Sequence, residues 1–362
     1  MDGVAPERTT LAAGAHNLLC HAAGLRAGER LLLVEEDPAL GWYDPAAAEA
    51  IATEAVHLGA AVTRWPVGGP EQAGCPDLAA AMADHDRVVF LARLGDCARF
   101  EAVPGSQTRV MSYARTGAAL GSAFGHTDHR AMRALKAATD QALLATTRIE
   151  ITCPLGTDLS GDLGQTPHDG GGEVGIVRFP LGVPRPLCAA GLRGRVMLAR
   201  WLTPTGSRTY TPAWVALSAP VEAGIAGGRI TALRGPGHAV ATARRHHRDV
   251  GGAFGLDGNR VHSWHAGLHP ACAYDRPAAE NPDRWANTVF QSPRFLHVHT
   301  CGDAAPGEIC WMVADPTVIL DGVALWEGGR LHPERHPATR AALSAWPELD
   351  ALMRHPPVPL GI

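Results

Sequence analysis

The sequence predicts two domains of different classes, an α/β domain in residues 1–147 and a β-rich domain in residues 148–362. Helical and strand patterns alternate with short links in the first part, which is typical of parallel βαβ units. In the second part, strand-like segments follow one another with glycine turn signals and little helix. The length of 362 residues also exceeds that of one average domain. The predicted architecture is therefore a parallel-sheet domain followed by a β-rich, barrel-like domain.

The first domain begins with a helix that Thr9 or Thr10 is placed to cap, because a threonine side chain accepts a hydrogen bond at a helix N-terminus. We expect this helix to end near Ala23, before a glycine. Alternating strands and helices follow in order. They are a strand Arg30–Glu36, a helix Pro45–Leu58, a strand Ala60–Pro66, a helix Asp77–Ala83, strands Arg87–Arg93 and Thr108–Tyr113, and a helix from Thr127 or Asp128 to Thr146.

The second domain contains several hairpin signals. RIEITCPLGTDLSGDL predicts two strands joined by a turn, and the Gly227-Gly228 pair predicts a hairpin. Further strands are expected around Asp321-Gly322 and Gly328-Gly329, and residues 169–173 form a glycine-dense loop. His238–Phe254 is the clear helix of this half. The remaining predictions are a terminal helix over Pro337–Arg354 and a solvated polar face for the RRHHR run, with an anion site as the alternative reading.

Composition excludes several classes of function. The net charge is −4 and the basic residues are scattered, which excludes the electrostatic pattern of a nucleic-acid binder. No stretch approaches the roughly 20 apolar residues that a membrane span needs. Eight cysteines occur without a CxxC pair or a signal-peptide pattern, so we expect reduced thiols in a cytoplasmic protein. The glycine-rich segments lack a GxGxxG motif placed between a strand and a helix, and neither GK[ST] nor GxSxG occurs, so dinucleotide-binding, phosphate-binding and nucleophile-elbow sites are not expected.

A histidine-rich stretch, Asn259–Gly322, holds the candidate chemistry. It contains His262, His265, His269, His297 and His299. Alternate residues of a strand share a face, so His265 and His269 are expected on one face with Ser263. The same rule puts His297 and His299 together on one face of a second strand. Four tryptophans in or beside this stretch are read as a cleft lining or as barrel core; they are Trp264, Trp285, Trp311 and Trp326.

Five segments occur in the order in which the M29 family of metallo-aminopeptidases carries its own. They are NLLCHAAGLRAGERLLLV, ITCPLGTDLSGDL, ALSAPVEAGIAGGRITALRG, RVHSWHAGLHP and VILDGVALWEGGRLH. The chain therefore resembles a degenerate relative of that family. The resemblance implies an α/β N-terminal domain, a barrel-like C-terminal domain and a homodimer that encloses the active cavity. The iron-dependent dihydroxypyridine dioxygenases resemble the same fold, and the resemblance implies His and Asp ligands on a single iron.

The chain departs from the peptidase pattern at its metal ligands. Matching Pro220 and Pro270 to prolines of that pattern puts Val215 and Ser263 where it carries glutamates. The late HxD pair falls on or near Cys310 and Met312. Valine and methionine cannot hold a hard divalent ion, so an active dinuclear aminopeptidase is not expected.

Histidine remains as the available ligand type. The resemblance puts His265 on the face of a lost glutamate and the HVH pair where the family carries another histidine. His265, His297 and His299, with Asp303 as a possible carboxylate, would suit one Fe²⁺ or Zn²⁺ ion. The alternative is that these histidines are hydrogen-bonded walls of a cavity without metal.

Three functional hypotheses follow. The first is a peptide-binding protein without a metal site or other cofactor, acting in the biosynthesis of a modified peptide natural product, similar to the peptidase-like proteins of crocagin biosynthesis. It assigns no catalytic residue, and its partners are a peptide ligand or precursor peptide and a second copy of the chain. Its ligand cavity is lined by Ser263, Trp264, His265, His269 and Val215. The second is a mononuclear non-haem iron oxygenase. The third is a metal-dependent aminopeptidase with rearranged ligands.

Overall fold

The computed structural model describes residues 10–103, 105–162, 174–303, 307–356 and 359–362. It divides the chain into two compact units, one formed by residues 1–132 and 174–181 and the other by residues 133–173 and 182–362. The first unit thus includes residues 174–181, a short segment that lies well beyond the predicted boundary at residue 147. The predicted glycine-dense loop over residues 169–173 lies outside the described residues.

The described residues form strands in both units. In chain order they are β1 Arg30–Glu36, β2 Ala61–Val67, β3 Arg87–Leu91, β4 Thr108–Ser112, β5 Arg148–Thr152, β6 Asp158–Asp162, β7 Val177–Phe179, β8 Leu187–Cys188, β9 Leu192–Leu198, β10 Trp201–Pro204, β11 Val215–Ala216, β12 Val221–Ala226, β13 Arg229–Arg234, β14 Val261–Ala266, β15 Phe295–Thr300, β16 Ile309–Ala314, β17 Thr317–Leu320, β18 Val323–Glu327 and β19 Arg330–Leu331. Most of the predicted strands are confirmed to within two residues.

The α-helices are concentrated in the first unit and at the end of the chain. They are α1 Thr10–His16, α2 Pro45–His57, α3 Pro76–Ala83, α4 Leu94–Cys97, α5 Gly117–Leu120, α6 Ala123–His126, α7 His129–Ala145, α8 Gly237–Phe254, α9 Pro282–Val289, α10 Pro337–Ala345 and α11 Pro347–Arg354. A π-helix, Asn17–Ala22, continues α1. Among these described helices, none combines the length and the apolar character needed to cross a membrane.

A five-stranded parallel sheet, in the order β2-β1-β3-β4-β7, forms the centre of the first unit. Its strand β1 carries four consecutive side chains, Leu31 to Val34, that are completely buried. A continuous apolar run is what a parallel strand needs when both faces of its sheet are covered. The Asp44 side chain caps α2 by accepting a hydrogen bond from the Ala47 N–H. The predicted α/β region with a parallel sheet is confirmed.

Two antiparallel sheets make the second unit β-rich, as predicted. One has six strands in the order β11-β10-β16-β15-β14-β8, and the other has eight in the order β13-β12-β9-β6-β5-β17-β18-β19. The turn at Gly227-Gly228 joins β12 to β13, where both glycines have positive φ. This left-handed backbone is the reason that glycine is needed at both places. Closure of these sheets into a barrel stays a prediction.

Two details of the second unit differ from the predictions. The terminal helix is divided into α10 and α11, because Pro347 cannot continue the first of them and instead begins the second. The RRHHR run on α8 is not a wholly solvated face, since His246 and His247 are each only 4% exposed. Five consecutive residues of a helix cover more than one full turn, so some of the side chains in RRHHR point toward the core even though all of them are polar.

Candidate metal centre

Two neighbouring strands position the candidate ligands. Strands β14 and β15 pair antiparallel, with His265 opposite His297 and Ser263 opposite His299. Residues directly opposite each other in an antiparallel pair point to the same face of the sheet. All six residues of each strand are buried, so this shared face lies inside the unit. The predicted alternation therefore places three imidazoles together on one buried face.

The three imidazoles converge closely enough for one ion. One ligand nitrogen each from His265, His297 and His299 lies within 4.8 Å of the others. Their ring centroids are 5.0 to 6.1 Å apart. Two nitrogens on one ion are at most about 4 Å apart, because each bond to the ion is about 2 Å long. The observed separations are close to this limit, so the three residues form a candidate metal-binding group.

His297 is in the protonation state that a metal-binding histidine needs. Burial lowers the pKa of His297 to about 3, so that its imidazole is neutral near pH 7. Neutral imidazole is the form that donates a lone pair to an ion. The Nε2 atom of His297 is buried and has no hydrogen-bond partner among the described residues. Such atoms are uncommon in folded proteins, so this nitrogen is available to bind a ligand.

Sulfur rather than carboxylate flanks the histidines on the next strand. Strand β16 places Cys310 opposite His299 and Met312 opposite His297, on the same face. Burial raises the pKa of the Cys310 thiol well above its usual range, which favours the protonated thiol. Met312 packs against an apolar cluster that includes Trp285. In the described part of the chain, the ligand group contains histidine alone.

Asp303 does not join this group. Its side chain is 78% exposed, and a carboxylate oxygen lies 3.1 Å from Nε of Arg260. It follows the end of β15 at Thr300 and so leaves the buried face that His297 and His299 share. Asp303 therefore forms a surface ion pair with Arg260 and is not the carboxylate ligand that the sequence suggested.

The residues predicted to line a ligand cavity are only partly brought together. Ser263 and His265 share the histidine face, whereas Trp264 lies between them on β14 and points to the other face. His269 lies beyond the end of the strand, completely buried, and its N–H donates to the Gln291 carbonyl. His269 is outside the group of three, and so is His262.

Val215 lies far from the histidines and on the other face of the sheet. It is opposite Leu202 in β10, while the next residue of β10, Thr203, is opposite Cys310 on the histidine face. Successive residues of a strand alternate between faces, so Leu202 and Val215 point away from that face. Three strand spacings of about 4.8 Å also separate β11 from β15.

Two residues beside the histidines were not predicted from the sequence. The ring of Phe290 lies 6.5 Å from that of His265 and 5.9 Å from that of His297. Next to it, Gln291 is 1% exposed, and both polar atoms of its side chain lack a partner among the described residues. Both follow α9 directly, and the sequence carries no periodic signal for that loop.

The tryptophans of this region belong to the core. Trp264, Trp285, Trp311 and Trp326 are all at most 3% exposed. The indole N–H of Trp326 donates to the Gly267 carbonyl, and that of Trp311 donates to His247. The core reading of these side chains agrees with their burial, since a buried indole N–H usually has such a partner.

Comparison with known proteins shows that this chain shares its fold with a solved structure but matches no known family by sequence. No family model matches the chain, and no curated protein sequence matches it. Among solved structures, it is similar to 2,5-dihydroxypyridine dioxygenase from Pseudomonas putida KT2440, with a TM-score of 0.58 and 15% identity over 92% of this chain and 100% of that one. AmpT from Thermus thermophilus is matched with a TM-score of 0.47 and 14% identity, over 89% and 98% of the two chains. The chain thus shares the fold of a known dioxygenase at low sequence identity.

Proposed function

We propose that this protein is an enzyme with a mononuclear metal centre held by His265, His297 and His299, and that it is an oxygenase of the non-haem iron type. The observation that carries the proposal is the convergence of three buried ligand nitrogens within 4.8 Å. The fold shared with 2,5-dihydroxypyridine dioxygenase supports the reaction class. A fold alone does not fix a reaction, so the argument depends on the site.

The donor set fits a first-row transition metal. Imidazole nitrogen suits iron, zinc, copper and nickel, whereas magnesium and calcium prefer oxygen ligands. Because all three ligands lie on two paired strands, hydrogen bonds of the sheet fix their separation. An Fe²⁺ ion with open coordination positions supplies the dioxygen chemistry that side chains lack.

The chain's own residues orient the ligands and keep water out. The hydroxyl of Ser263 hydrogen-bonds to Nδ1 of His299 at 3.1 Å, which holds that ring in one orientation. The Phe290 ring packs edge-on near His265 and covers this side of the group. Exclusion of water lowers the pKa of His297 and strengthens the electrostatic interactions in the site.

Metal analysis and oxygen uptake test the proposal. We expect freshly purified or Fe²⁺-reconstituted protein to hold about one ion per chain. Oxygen consumption should follow addition of a dihydroxylated aromatic probe such as 2,5-dihydroxypyridine or hydroquinone. His297→Ala should lose both the ion and the oxygen uptake, while His262→Gln, on the same strand as His265 but outside the group, should keep them.

Three results would contradict parts of the proposal. Protein that binds no transition metal after reconstitution would refute the metal centre. A tightly bound zinc ion without oxygen uptake would keep the centre and refute the oxygenase. Aminopeptidase turnover that His299→Ala abolishes would instead support a peptidase with rearranged ligands.

A peptide-binding protein without a metal centre is the second candidate. The observation that favours it is the pair Cys310 and Met312, which stand beside His299 and His297 where the peptidase resemblance implies metal ligands. Its test is capture of peptides by metal-free protein. Retention of peptide binding by His297→Ala would support it, since that variant removes a metal ligand and leaves the rest of the chain unchanged.

A further inference from the structure

A cavity of about 450 Å³ lies within the second unit beside α8. One stripe of α8 lines it, including Thr242, Arg245, His246 and Asp249. Their spacing of three or four residues puts these side chains on one helix face. None of the three candidate metal ligands contributes to the lining. This cavity is therefore a separate feature from the histidine centre.

Aromatic rings form fixed walls of this cavity. The Tyr210 ring lies 6.2 Å from that of Phe254 and 5.9 Å from that of His246. Its hydroxyl donates to the Glu308 carbonyl at 2.9 Å, which prevents the ring from turning away. The Arg208 guanidinium lies 5.0 Å above the Phe254 ring and holds that ring in turn. Preformed aromatic walls of this kind suit a planar apolar group.

Two polar groups of the lining have no partner in the described part of the chain. His246 is 4% exposed, and its Nε2 is buried without a hydrogen bond. Burial lowers its pKa to about 4, so the ring is neutral near pH 7 and can donate through Nε2–H. Arg245 is exposed at the cavity and has no ion pair there. The nearby Asp249 is offset by Arg248, 2.9 Å away.

We propose that this cavity binds a small aromatic carboxylate. Its ring lies against Tyr210 and Phe254, and its carboxylate accepts hydrogen bonds from Arg245 and His246. The unpaired guanidinium provides a charge-assisted bond, which is roughly twice as strong as a neutral one. The volume falls in the range of small-molecule sites, about 300–1,000 Å³. The proposal goes beyond the metal centre and does not depend on it.

Calorimetric titration of the full-length protein tests this site. The probes are benzoate, 4-hydroxybenzoate and indole-3-acetate, each paired with its neutral amide. We expect at least one acid to bind with one site per chain, and its amide to bind about tenfold or more weakly. If no acid saturates the protein, or the amides bind equally well, the proposal is overturned.

Matched variants locate the binding. Arg245→Gln should weaken binding of the acid by about tenfold or more, a difference of about 1.4 kcal/mol, whereas Arg244→Gln should leave it unchanged because Arg244 does not line the cavity. His246→Gln, compared with wild type by thermal unfolding to establish that it folds, should also weaken binding. His297→Ala should leave it unchanged. Equal effects of the two arginine variants, or loss of binding in His297→Ala, would overturn the assignment to this cavity.

Discussion

The hydroxyl oxygen of Ser263 lies 3.1 Å from Nδ1 of His299, and both residues are buried on adjacent strands. This contact engages Nδ1, so in the proposed centre Nε2 would be the nitrogen that faces the ion. The hydrogen bond made by the other ring nitrogen commonly fixes the tautomer and orientation of a metal-binding histidine. In the proposed centre, the serine at the position where the peptidase resemblance implies a glutamate would support a ligand without being one itself.

Ser263→Ala is expected to lower the affinity for Fe²⁺ by about 10- to 100-fold, because His299 loses the hydrogen bond that orients it. Ser263→Thr, which keeps a hydroxyl, should recover most of the affinity. Titration of metal-free protein with Fe²⁺ under anaerobic conditions measures both variants. Equal affinity of Ser263→Ala and wild type would show that this contact does not position the ligand.

Met312→Leu is expected to keep the ion and to change the free energy of unfolding by less than about 1.5 kcal/mol. The reason is that Met312 packs against the apolar cluster around Trp285 and is outside the ligand group. Metal content and chemical denaturation measure the two effects. Loss of the ion in Met312→Leu would instead identify the thioether as a ligand.

Acid should destabilise the protein between about pH 6.5 and pH 4 through His247. The Nδ1–H of His247 donates to the Gly258 carbonyl and its Nε2 accepts from Trp311, so the ring is held neutral. Burial lowers its pKa from 6.5 to about 4. Below pH 6.5 the His247 imidazole is protonated in the unfolded chain but stays neutral in the folded chain until about pH 4. The stability that the neutral, buried His247 provides is therefore complete above pH 6.5 and is lost as the pH falls toward 4. For this one residue the loss is about 3 kcal/mol.

Denaturation at several pH values checks this expectation. His247→Gln can keep both hydrogen bonds without titrating, so its stability should fall less steeply over the same interval. His238→Gln, an exposed position of the same helix, is the control and should follow wild type. An unchanged slope in His247→Gln would contradict the assignment.

Adjacent glycines of α8 should respond oppositely to alanine. A Cβ at Gly251 would lie 2.9 Å from the Leu256 carbonyl oxygen, whereas a Cβ at Gly252 meets nothing within 4 Å. Gly251→Ala should therefore lower the melting temperature. Gly252→Ala should raise the free energy of unfolding by about 0.5–1 kcal/mol, because alanine favours helix. Differential scanning calorimetry of both variants measures these effects. Stabilisation by Gly251→Ala would contradict the close approach of the Leu256 carbonyl to Gly251.

Local patterns predict most of the fold because they act over short distances. The run RLLLVEE specifies β1, and alternation in VHSWHA and FLHVHT specifies which histidines share a face. The position of Val215 depends instead on pairing with β10 after an irregular segment, which no periodicity encodes. The return of β7 to the parallel sheet is likewise a long-range event. The sequence pattern does not predict the burial of His247, because its partner Trp311 is distant in sequence and its partner Gly258 lies in an irregular loop.

The described group of three histidines contains no carboxylate, and this would set the overall charge of the proposed centre. A divalent ion held by three neutral imidazoles keeps both of its positive charges, whereas a site with one carboxylate leaves only one. An uncompensated charge in a buried region is costly in free energy. In the proposed centre, electroneutrality would therefore favour a molecule that binds the open positions as an anion, such as an ionised phenol, over a neutral one of the same shape.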